Sequence, residues 1–308
     1  MADAKDHDPG HEELRQQARA LVERYRVTDG RKFRLKHYDP GDTAGHAIDK
    51  PAARALLEHG VRRLERYQEM LYAQDRWAML CCFQAMDAAG KDSTIKHVMS
   101  GVNPQGVEVT SFKAPGPEEL DHDFLWRINR ALPRRGRIGI FNRSHYEEVL
   151  VTRVHPEFLS KQRLPAGKID KAFWQARLTA IAGFERYLAD QGYVILKFFL
   201  SLSKREQWRR FMDRLDEPDK HWKFSASDLV ERDFWDRYMA AYEEAIAATS
   251  APHAPWFVVP ADNKWFTQLV VAAAMNEALD GLKLTYPILD EKARAMLNAA
   301  RAKLEREG

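Results

Sequence analysis

The stretch Phe83-Gln-Ala-Met-Asp-Ala-Ala-Gly-Lys-Asp-Ser-Thr-Ile95 decides the fold. It follows the apolar run Trp77–Phe83, which predicts a buried strand, and it opens a segment with helical character. A loop between a strand and a helix, with Gly-Lys before the helix, is the context of a phosphate-binding loop. Successive backbone N–H groups and the positive end of the helix form an anion site there, and Lys91 adds a charge. The predicted phosphate-binding residues are Ala88, Ala89, Gly90, Lys91, Asp92 and Ser93.

The loop departs from the pattern GxxxxGK[ST] at two positions, where Ala85 replaces the first glycine and Asp92 replaces the Ser or Thr. A Gly-Lys pair before a helix is also compatible with plain turn chemistry. Asp87 favours the phosphate-binding interpretation, because a carboxylate among such amides repels the ligand unless a cation bridges them or the carboxylate handles a proton. We therefore interpret Asp87 as a Mg²⁺ ligand or a catalytic base.

A second polar cluster follows the apolar strand Ile138–Phe141, where doubly wound sheets place their ligands. An Asp is the usual metal ligand at such a strand end. Asn142 stands there instead, and its amide oxygen can coordinate Mg²⁺ without charge, so Glu147 is a candidate for the missing carboxylate. Arg143 can make a bidentate contact with phosphate oxygens.

The rest of the chain alternates strand and helix patterns, which predicts an α/β protein with a mainly parallel sheet and helices on both faces. The predicted strands are Trp77–Phe83, Val107–Phe112, Ile138–Phe141, Tyr193–Leu200 and Trp256–Val259. The predicted helices are Glu12–Tyr25, a helix from Pro51, Glu118–Leu132, Lys168–Gln191 and the final stretch from Asn276.

Residues 201–250 change in composition to charged and aromatic helices inserted before the last strand. Such a run is by itself typical of a solvated helix face. Opposite a phosphate-binding loop, however, a movable helical segment with several cations can neutralise developing charge and exclude water, as a lid does. The basic residues of this predicted lid are Lys204, Arg205, Arg209, Arg210, Arg214, Lys220 and Lys223.

Four other polar residues have less specific signals. Asp262 and Lys264 follow the last predicted strand, so they either reach the ligand edge of the sheet or pair with each other. Glu148 is interpreted as part of a solvated helix face, because charged residues are mostly exposed. His145 is interpreted as structural.

The composition of the 308 residues is that of a globular protein, with 45% hydrophobic and 30% charged residues. The net charge of +3 predicts no nucleic-acid or membrane partner, so any polyanion site must be local. The N-terminal sequence lacks the apolar region of a secretory signal, which predicts a cytoplasmic protein. Cys81 and Cys82 lie in an apolar run and are predicted to be buried thiols.

Several separated blocks, in order, resemble the polyphosphate kinase 2 family over roughly residues 50–285. They are QAMDAAGKDSTIKHVMSGVNPQG, SFKAP, FLWR, RGRIGIFNRSHYEEVLVTRVHP, the stretch from SLSKREQWRRF to HWKFSASD, and APWFVVPADNKW. The resemblance implies a thymidylate-kinase-like P-loop kinase, a three-layer α/β sandwich with a helical lid. It divides the chain into an N-terminal extension (1–50), a core with the lid at about 201–250 (51–285) and a C-terminal helical tail (286–308).

The resemblance also implies reversible phosphoryl transfer between inorganic polyphosphate and nucleoside mono- and diphosphates, by a homo-oligomer that is a dimer or a tetramer. The implied cofactor is Mg²⁺, with Mn²⁺ as a substitute, held by Asp87 and Asn142. Asp87, Lys91 and Arg143 are the implied catalytic residues. The residues implied to meet the polyphosphate chain are those of the loop with Arg205, Arg209, Arg210, Lys220 and Lys223.

The residues implied to bind the nucleotide are Lys113, Asn142, Glu147 and Arg153. The combination of Asn142 and Glu147 resembles the class III subgroup, which accepts both mono- and diphosphates, so the path AMP to ADP to ATP is implied. Ser93 is a departure, since many members have glycine there. Two alternatives remain: an ATP-dependent nucleotide kinase on the same core, and a non-catalytic polyanion-binding module.

Overall fold

The computed structural model describes residues 9–44 and 50–307. Its strands are β1 Arg26–Val27, β2 Ala78–Gln84, β3 Val107–Ser111, β4 Ile138–Asn142, β5 Tyr193–Ser201 and β6 Trp256–Pro260. Its α-helices are α1 Pro9–Tyr25, α2 Lys50–Gln74, α3 Lys91–Val98, α4 Pro117–Leu120, α5 Trp126–Arg130, α6 Val151–Val154, α7 Lys171–Asp190, α8 Lys204–Asp216, α9 Ala226–Asp233, α10 Trp235–Thr249, α11 Lys264–Asp280 and α12 Glu291–Glu307. Short 3₁₀ helices are Leu35–His37, Pro104–Gly106, His145–Glu148, Pro156–Gln162 and Pro218–Lys223.

The six strands form one sheet in the order β1-β6-β5-β2-β4-β3. All neighbouring pairs are parallel except β1 and β6, which are antiparallel. The predicted α/β fold with a mainly parallel sheet is therefore confirmed. β1 has only two residues, too few to leave a periodic pattern, and it is not among the predicted strands.

The two faces of the sheet carry separate cores, because side chains alternate along each strand. On one face, Cys81 and Phe198 pack with helices α2, α3 and α11. On the other, Phe199 and Trp256 pack with α7 and α10. The structure is thus a helix–sheet–helix sandwich. Cys81 and Cys82 are free and fully buried, as predicted.

Two helices have bounds that differ from the predicted ones, in each case because of one side chain. The predicted helix Glu118–Leu132 is two short helices, because the Asp123 side chain accepts from the Leu125 amide at 2.9 Å and starts a new turn. The predicted helix Lys168–Gln191 starts at Lys171, because the Asp170 carboxylate caps it by accepting from the amides of Ala172 and Phe173.

The terminal helices differ in how they pack. In α1, Leu21, Val22 and Tyr25 are buried, and the Tyr25 ring meets Phe266 of α11 edge to face. The C-terminal stretch predicted as helical is interrupted between Asp280 and Glu291, and α12 buries none of its residues. Within the predicted N-terminal extension, residues 1–8 and 45–49 lie outside the described residues.

The segment predicted as a lid contains two kinds of helix. Helices α8 and α9 and the 3₁₀ helix between them stand at the carboxyl end of the sheet, and α9 buries none of its residues. Helix α10, in contrast, buries Trp235, Tyr238 and Tyr242 against the sheet. The exposure expected of a lid is therefore found in α9 and in the 3₁₀ helix before it, neither of which buries a residue, whereas α8 buries Gln207, Arg210 and Phe211.

Candidate active site

The phosphate-binding loop connects β2 to α3, as the sequence predicted. Gly90 precedes the helix with φ +97°, and Ala88 also lies in the left-handed region with φ +62°. A non-glycine residue is strained there and stays only when its surroundings fix it. The Lys91 ammonium folds back over the loop and donates to the Ala85 carbonyl at 2.9 Å.

The end of β4 lies beside this loop because the two strands are paired in register, with Phe83 opposite Asn142. Arg143 follows with φ +64°, and its amide donates to the Phe83 carbonyl at 3.0 Å. Its guanidinium lies 3.6 Å from the Asp87 carboxylate. The structure thus brings Asp87, Lys91 and Arg143 together.

The side chains predicted to hold a metal ion lie at the same edge. The Asn142 amide nitrogen donates to Asp92 Oδ1 at 2.6 Å, which leaves its oxygen free to coordinate. Asp87 is partly exposed beside it. Among the described residues no cluster of three or more His, Cys, Asp and Glu side chains forms a metal cage. Mg²⁺ needs none, since it binds one or two carboxylates and completes its shell with phosphates and water. The oxygen ligands present fit that ion.

Burial sets the electrostatics of the site. It lowers the pKa of Lys91, an effect that Asp87 opposes. Burial raises the pKa of Glu147, an effect that Arg143 and Lys91 oppose. Glu147 in turn raises the pKa of Arg143. The site therefore holds cations that have lost part of their hydration. A bound anion can replace the stabilisation of their charge that this hydration gave.

A pocket of about 370 Å³ opens on one side of Asp87 and Arg143. Its walls include Phe112, Phe158 and Leu120, with Lys113 and Glu147 among its polar residues. The volume and the mixture of apolar walls with few polar groups are typical of a small-molecule site.

A second, open cleft of about 480 Å³ lies over the phosphate-binding loop. The loop from Asp87 to Ser93 forms one wall, and the cations lining the cleft are Lys91, Arg143, Arg210, Arg214, Lys220, Lys223 and Lys264. Asp87, Arg143 and Asp228 line both spaces. The two cavities therefore meet at Asp87 and Arg143.

Three residues predicted to bind ligand line neither cavity. Arg205 is exposed on α8. Arg209 is exposed on the same helix and bonds to Glu206 and Asp213. Arg153 pairs with Glu244 at 2.5 Å.

Arg210 reaches the loop but uses its N–H groups on protein acceptors. One terminal nitrogen donates to the carbonyls of Ala88 and Ala89, both at 3.0 Å, and the other donates to those of Ala261 and Asp262 at 2.7 and 3.1 Å. Its remaining N–H donates to Glu206 at 2.8 Å. In this arrangement Arg210 binds the loop, and the other predicted lid cations that line the cleft are Arg214, Lys220 and Lys223.

The interpretation of Glu148 as a solvated residue is wrong. Its side chain is only 5% exposed, because it faces inward from a 3₁₀ turn. It lies 3.5 Å from the Arg127 guanidinium and 3.2 Å from that of Arg177, and it accepts from the Gln162 amide at 2.6 Å. Glu148, Arg127 and Gln162 all line the 370 Å³ pocket.

His145 has the structural position expected of it. It is fully buried, and its Nε2 lies 3.1 Å from the Glu185 carboxylate. Glu185 also accepts from the Lys197 ammonium at 2.6 Å. Burial would raise the pKa of Glu185, but the attraction of Lys197 and the hydrogen bond with His145 lower it.

Sequence reasoning did not single out Asp228, although it lines both cavities. It pairs with Arg214 at 3.2 Å, and burial raises its pKa, with the negative charge of Asp87 adding to the effect. An acidic residue in a charged helix has no local signal that separates it from a solvated one. For Lys264 the sequence left two interpretations open, a position at the ligand edge of the sheet or a pair with Asp262. The structure places Lys264 in the lining of the cleft.

Fold and site together define a class. A parallel sheet, a Gly-Lys loop opening a helix, an arginine at the neighbouring strand end and a basic helical segment opposite are the parts of a P-loop phosphotransferase. The chain belongs within this class to the polyphosphate kinase 2 family, whose sequence model matches residues 47–286. The resemblance noted in the sequence is therefore confirmed.

Relatives match over most of their length. The chain is 49% identical to an ADP-polyphosphate phosphotransferase of Rhodopseudomonas palustris, over 86% of this chain and 92% of the relative. It is 48% identical to an AMP/ADP-polyphosphate phosphotransferase of Meiothermus ruber, over 86% and 96%. The crystal structure of polyphosphate kinase 2 from Arthrobacter aurescens superposes with a TM-score of 0.84 at 41% identity, covering 94% of this chain and 97% of that one.

Replacement of Glu148 by alanine tests its buried role. We expect Glu148→Ala to lower the free energy of unfolding by about 3–5 kcal/mol, because Arg127 and Arg177 lose the carboxylate that compensates their burial. The measurement is urea unfolding followed by circular dichroism. Glu118→Ala is the control, since Glu118 is an exposed glutamate paired with Arg130, and its loss should cost about 1 kcal/mol or less. Equal, small effects of the two variants would show that Glu148 is solvated after all.

Proposed function

We propose that this protein transfers phosphoryl groups reversibly from inorganic polyphosphate to nucleoside mono- and diphosphates, converting AMP to ADP and ADP to ATP. The observation that carries the proposal is the junction of two cavities at Asp87 and Arg143. The cation-lined cleft of about 480 Å³ suits a donor made only of phosphate units. The pocket of about 370 Å³, with its apolar walls, suits an acceptor with an apolar end. The names of the relatives from R. palustris and M. ruber support this donor and these acceptors.

The donor site we propose is the open cleft over the loop. Its cations come from separate elements: Lys91 from α3, Arg214 from α8, Lys220 and Lys223 from the following turn, and Lys264 from α11. Charges spread along a cleft match a chain that carries negative charge on every unit. Lysines and arginines at several points can hold such a chain in more than one register.

The acceptor site we propose is the 370 Å³ pocket. The aromatic and aliphatic side chains of Phe112, Phe158 and Leu120 can bury a base, while Arg143 and Lys113 are available to phosphates. Glu147 also lines this pocket. A nucleotide in this pocket points its phosphates at the end of a polyphosphate chain in the cleft.

Transfer at the junction requires positioning and charge neutralisation more than proton removal. A phosphate oxygen of the acceptor attacks the terminal phosphorus of the polyphosphate, and the bridging P–O bond breaks. The shortened polyphosphate leaves with the bonding electrons. The attacking oxygen is already anionic, so little base catalysis is needed, and Lys91 and Arg143 stabilise the charge on the transferring group.

A bound Mg²⁺, or Mn²⁺ in its place, would be held by Asp87 and Asn142 and would supply further charge neutralisation and alignment of the phosphates. The family resemblance also implies a homo-oligomer, a dimer or a tetramer, and that stays a prediction. We infer a cytoplasmic enzyme, since the free thiols of Cys81 and Cys82 suit a reducing compartment. No helix in the described part of the chain is long and apolar enough to span a membrane.

The proposed function is tested by a comparison of donors. Purified protein is incubated with AMP and Mg²⁺, with polyphosphate in one reaction and ATP in the other, and nucleotides are separated by chromatography. We expect ADP and then ATP with polyphosphate as donor. Turnover with ATP alone would make the protein an ordinary nucleotide kinase, and binding without turnover would make it a polyanion-binding module.

Removal of the Lys91 ammonium should lower kcat/KM by at least about a hundredfold, because it takes a cation from the transferring phosphoryl group. The fold should persist, since within the described residues the Lys91 ammonium makes one hydrogen bond, to the Ala85 carbonyl at the edge of the cleft. Activity and circular dichroism of Lys91→Ala are measured beside those of Lys96→Ala, which removes an exposed lysine of the same helix. Full activity of Lys91→Ala would remove the loop from the mechanism.

Reversal of the charge at Glu147 should change the choice of acceptor. Glu147→Lys adds a cation near Lys91 and Arg143, which favours the more negative ADP over AMP by Coulomb attraction. We expect the ratio of kcat/KM for ADP to that for AMP to rise several-fold, with an intermediate rise in Glu147→Gln. An unchanged ratio in both variants would contradict a role for Glu147 in accepting two nucleotides.

A further inference from the structure

Each carbonyl of the phosphate-binding loop from Ala85 to Gly90 has a protein donor. Three bonds are local: the Ala89 amide donates to Met86, and the Thr94 amide and the Ser93 hydroxyl both donate to Gly90. Lys91 donates to Ala85. The remaining donors come from α8, where Arg210 serves Ala88 and Ala89, and Gln207 donates to the Asp87 carbonyl at 2.9 Å.

The hydrogen bond from Gln207 to the Asp87 carbonyl also orients the amide of Ala88. In a trans peptide the carbonyl and the next N–H are rigidly coplanar and point in opposite directions. The group that holds the Asp87 carbonyl therefore also aims the Ala88 N–H away from α8. Within the described part of the chain, the amides of Asp87, Ala88 and Gly90 donate to no protein acceptor. They are the donors an anion in the cleft can use.

Ala88 is the residue that most needs this support. Its φ of +62° lies in the left-handed region, which is unfavourable for a residue with a β-carbon. A different peptide orientation would relieve the strain and turn the amide away. Gln207 opposes that relaxation because its side chain is fixed, with the residue only 1% exposed.

The other end of the Gln207 amide is held by the lid helix α9. Its Oε1 accepts from Arg232 Nη1 at 2.8 Å, and the same nitrogen donates to the Lys204 carbonyl at 2.8 Å. Because the Asp87 carbonyl needs a donor and Arg232 needs an acceptor, only one orientation of the Gln207 amide satisfies both. Helix α9 also carries Asp228, which lines both cavities.

We propose that Gln207 is a positioning residue that couples the lid helix α9 to the Ala88 amide of the phosphate-binding loop, through Arg232. When α9 is in place, Arg232 holds Gln207 in the orientation that aims this amide at the donor phosphate. When α9 moves away, Gln207 loses its partner and the loop loses its alignment. The proposal rests on the proposed function for its donor, polyphosphate, but the coupling concerns any phosphate chain that binds the loop.

The test uses a double-mutant cycle with Gln207→Met and Arg232→Met in the full chain. Each replacement keeps a long side chain and breaks one link. We expect each to weaken tripolyphosphate binding, measured by calorimetry without nucleotide, by about tenfold, the loss that about 1.4 kcal/mol produces. The double variant should lose no more than either single variant, because both remove the same coupling.

Kinetics separates positioning from a general loss of structure. The KM for polyphosphate should rise in both variants while the KM for AMP stays unchanged, whereas partial unfolding would lower kcat alone. Gln207→Glu keeps the acceptor for Arg232 but cannot donate to the Asp87 carbonyl, and it should bind tripolyphosphate as weakly as Gln207→Met. Arg186→Met, which removes an exposed arginine paired with Asp190 on α7, should behave as the unmodified protein.

Two results would overturn the coupling: unchanged tripolyphosphate binding in Gln207→Met, or losses in the two single variants that multiply in the double variant. If Gln207→Met fails to fold, Arg232→Met decides alone, since unchanged binding there breaks the proposed link to α9. Failure of the proposed function is recognised separately, because the unmodified protein would then bind tripolyphosphate without using polyphosphate as a donor.

Discussion

A phosphate-binding loop can show its amides to an anion only if other groups satisfy its carbonyls. In this protein the donors are drawn from several elements, with Lys91 from the loop's own helix and Gln207 and Arg210 from α8. Arg210 extends the arrangement to the end of β6 by donating to Ala261 and Asp262. The loop, the lid and the last strand are therefore fixed by one set of hydrogen bonds, and the shape of the cleft follows from it.

The second half of the site depends on a polar network in the middle of the sandwich. Lys197, on the central part of β5, donates to Glu185 of α7 and to the Tyr146 hydroxyl. Tyr146 belongs to the 3₁₀ turn that carries Glu147 to the pocket. A buried ion pair gives little net stability, but it penalises every arrangement that would leave one charge unpaired. Here it fixes the turn that follows Arg143.

The sequence predicted those parts of the site whose chemistry is local. Gly90, Lys91 and Asn142 could be placed because a phosphate-binding loop or a strand end is recognised from residues adjacent in the sequence. Arg209 and Arg210 could not be told apart, since their difference is a turn of about 100° around the helix, which aims one at water and the other at carbonyls. Glu148 was misinterpreted because its arginine partners, Arg127 and Arg177, come from elements distant in the sequence.

The fold shows the same division between local and distant information. Apolar or β-branched runs within the chain identified the strands from β2 to β6, while the two-residue β1 exists only through its pairing with β6. The break after α4 depends on a single side chain, Asp123, that bonds to the backbone instead of continuing the helix. Patterns summed over many residues are robust, and features decided by one contact are not.

If the 370 Å³ pocket holds the acceptor, as proposed, the meeting of both cavities at Asp87 and Arg143 constrains how its walls can bind the base. An enzyme that phosphorylates AMP and then ADP at one fixed point must hold the same base at two depths, since its acceptor has grown by one phosphoryl group. Directional hydrogen bonds to the base would be made at one depth and broken at the other. Walls such as Phe112, Phe158 and Leu120 avoid this conflict, because apolar contact is non-directional and lets the base slide. A pocket that binds the base in this way would also discriminate little between different bases.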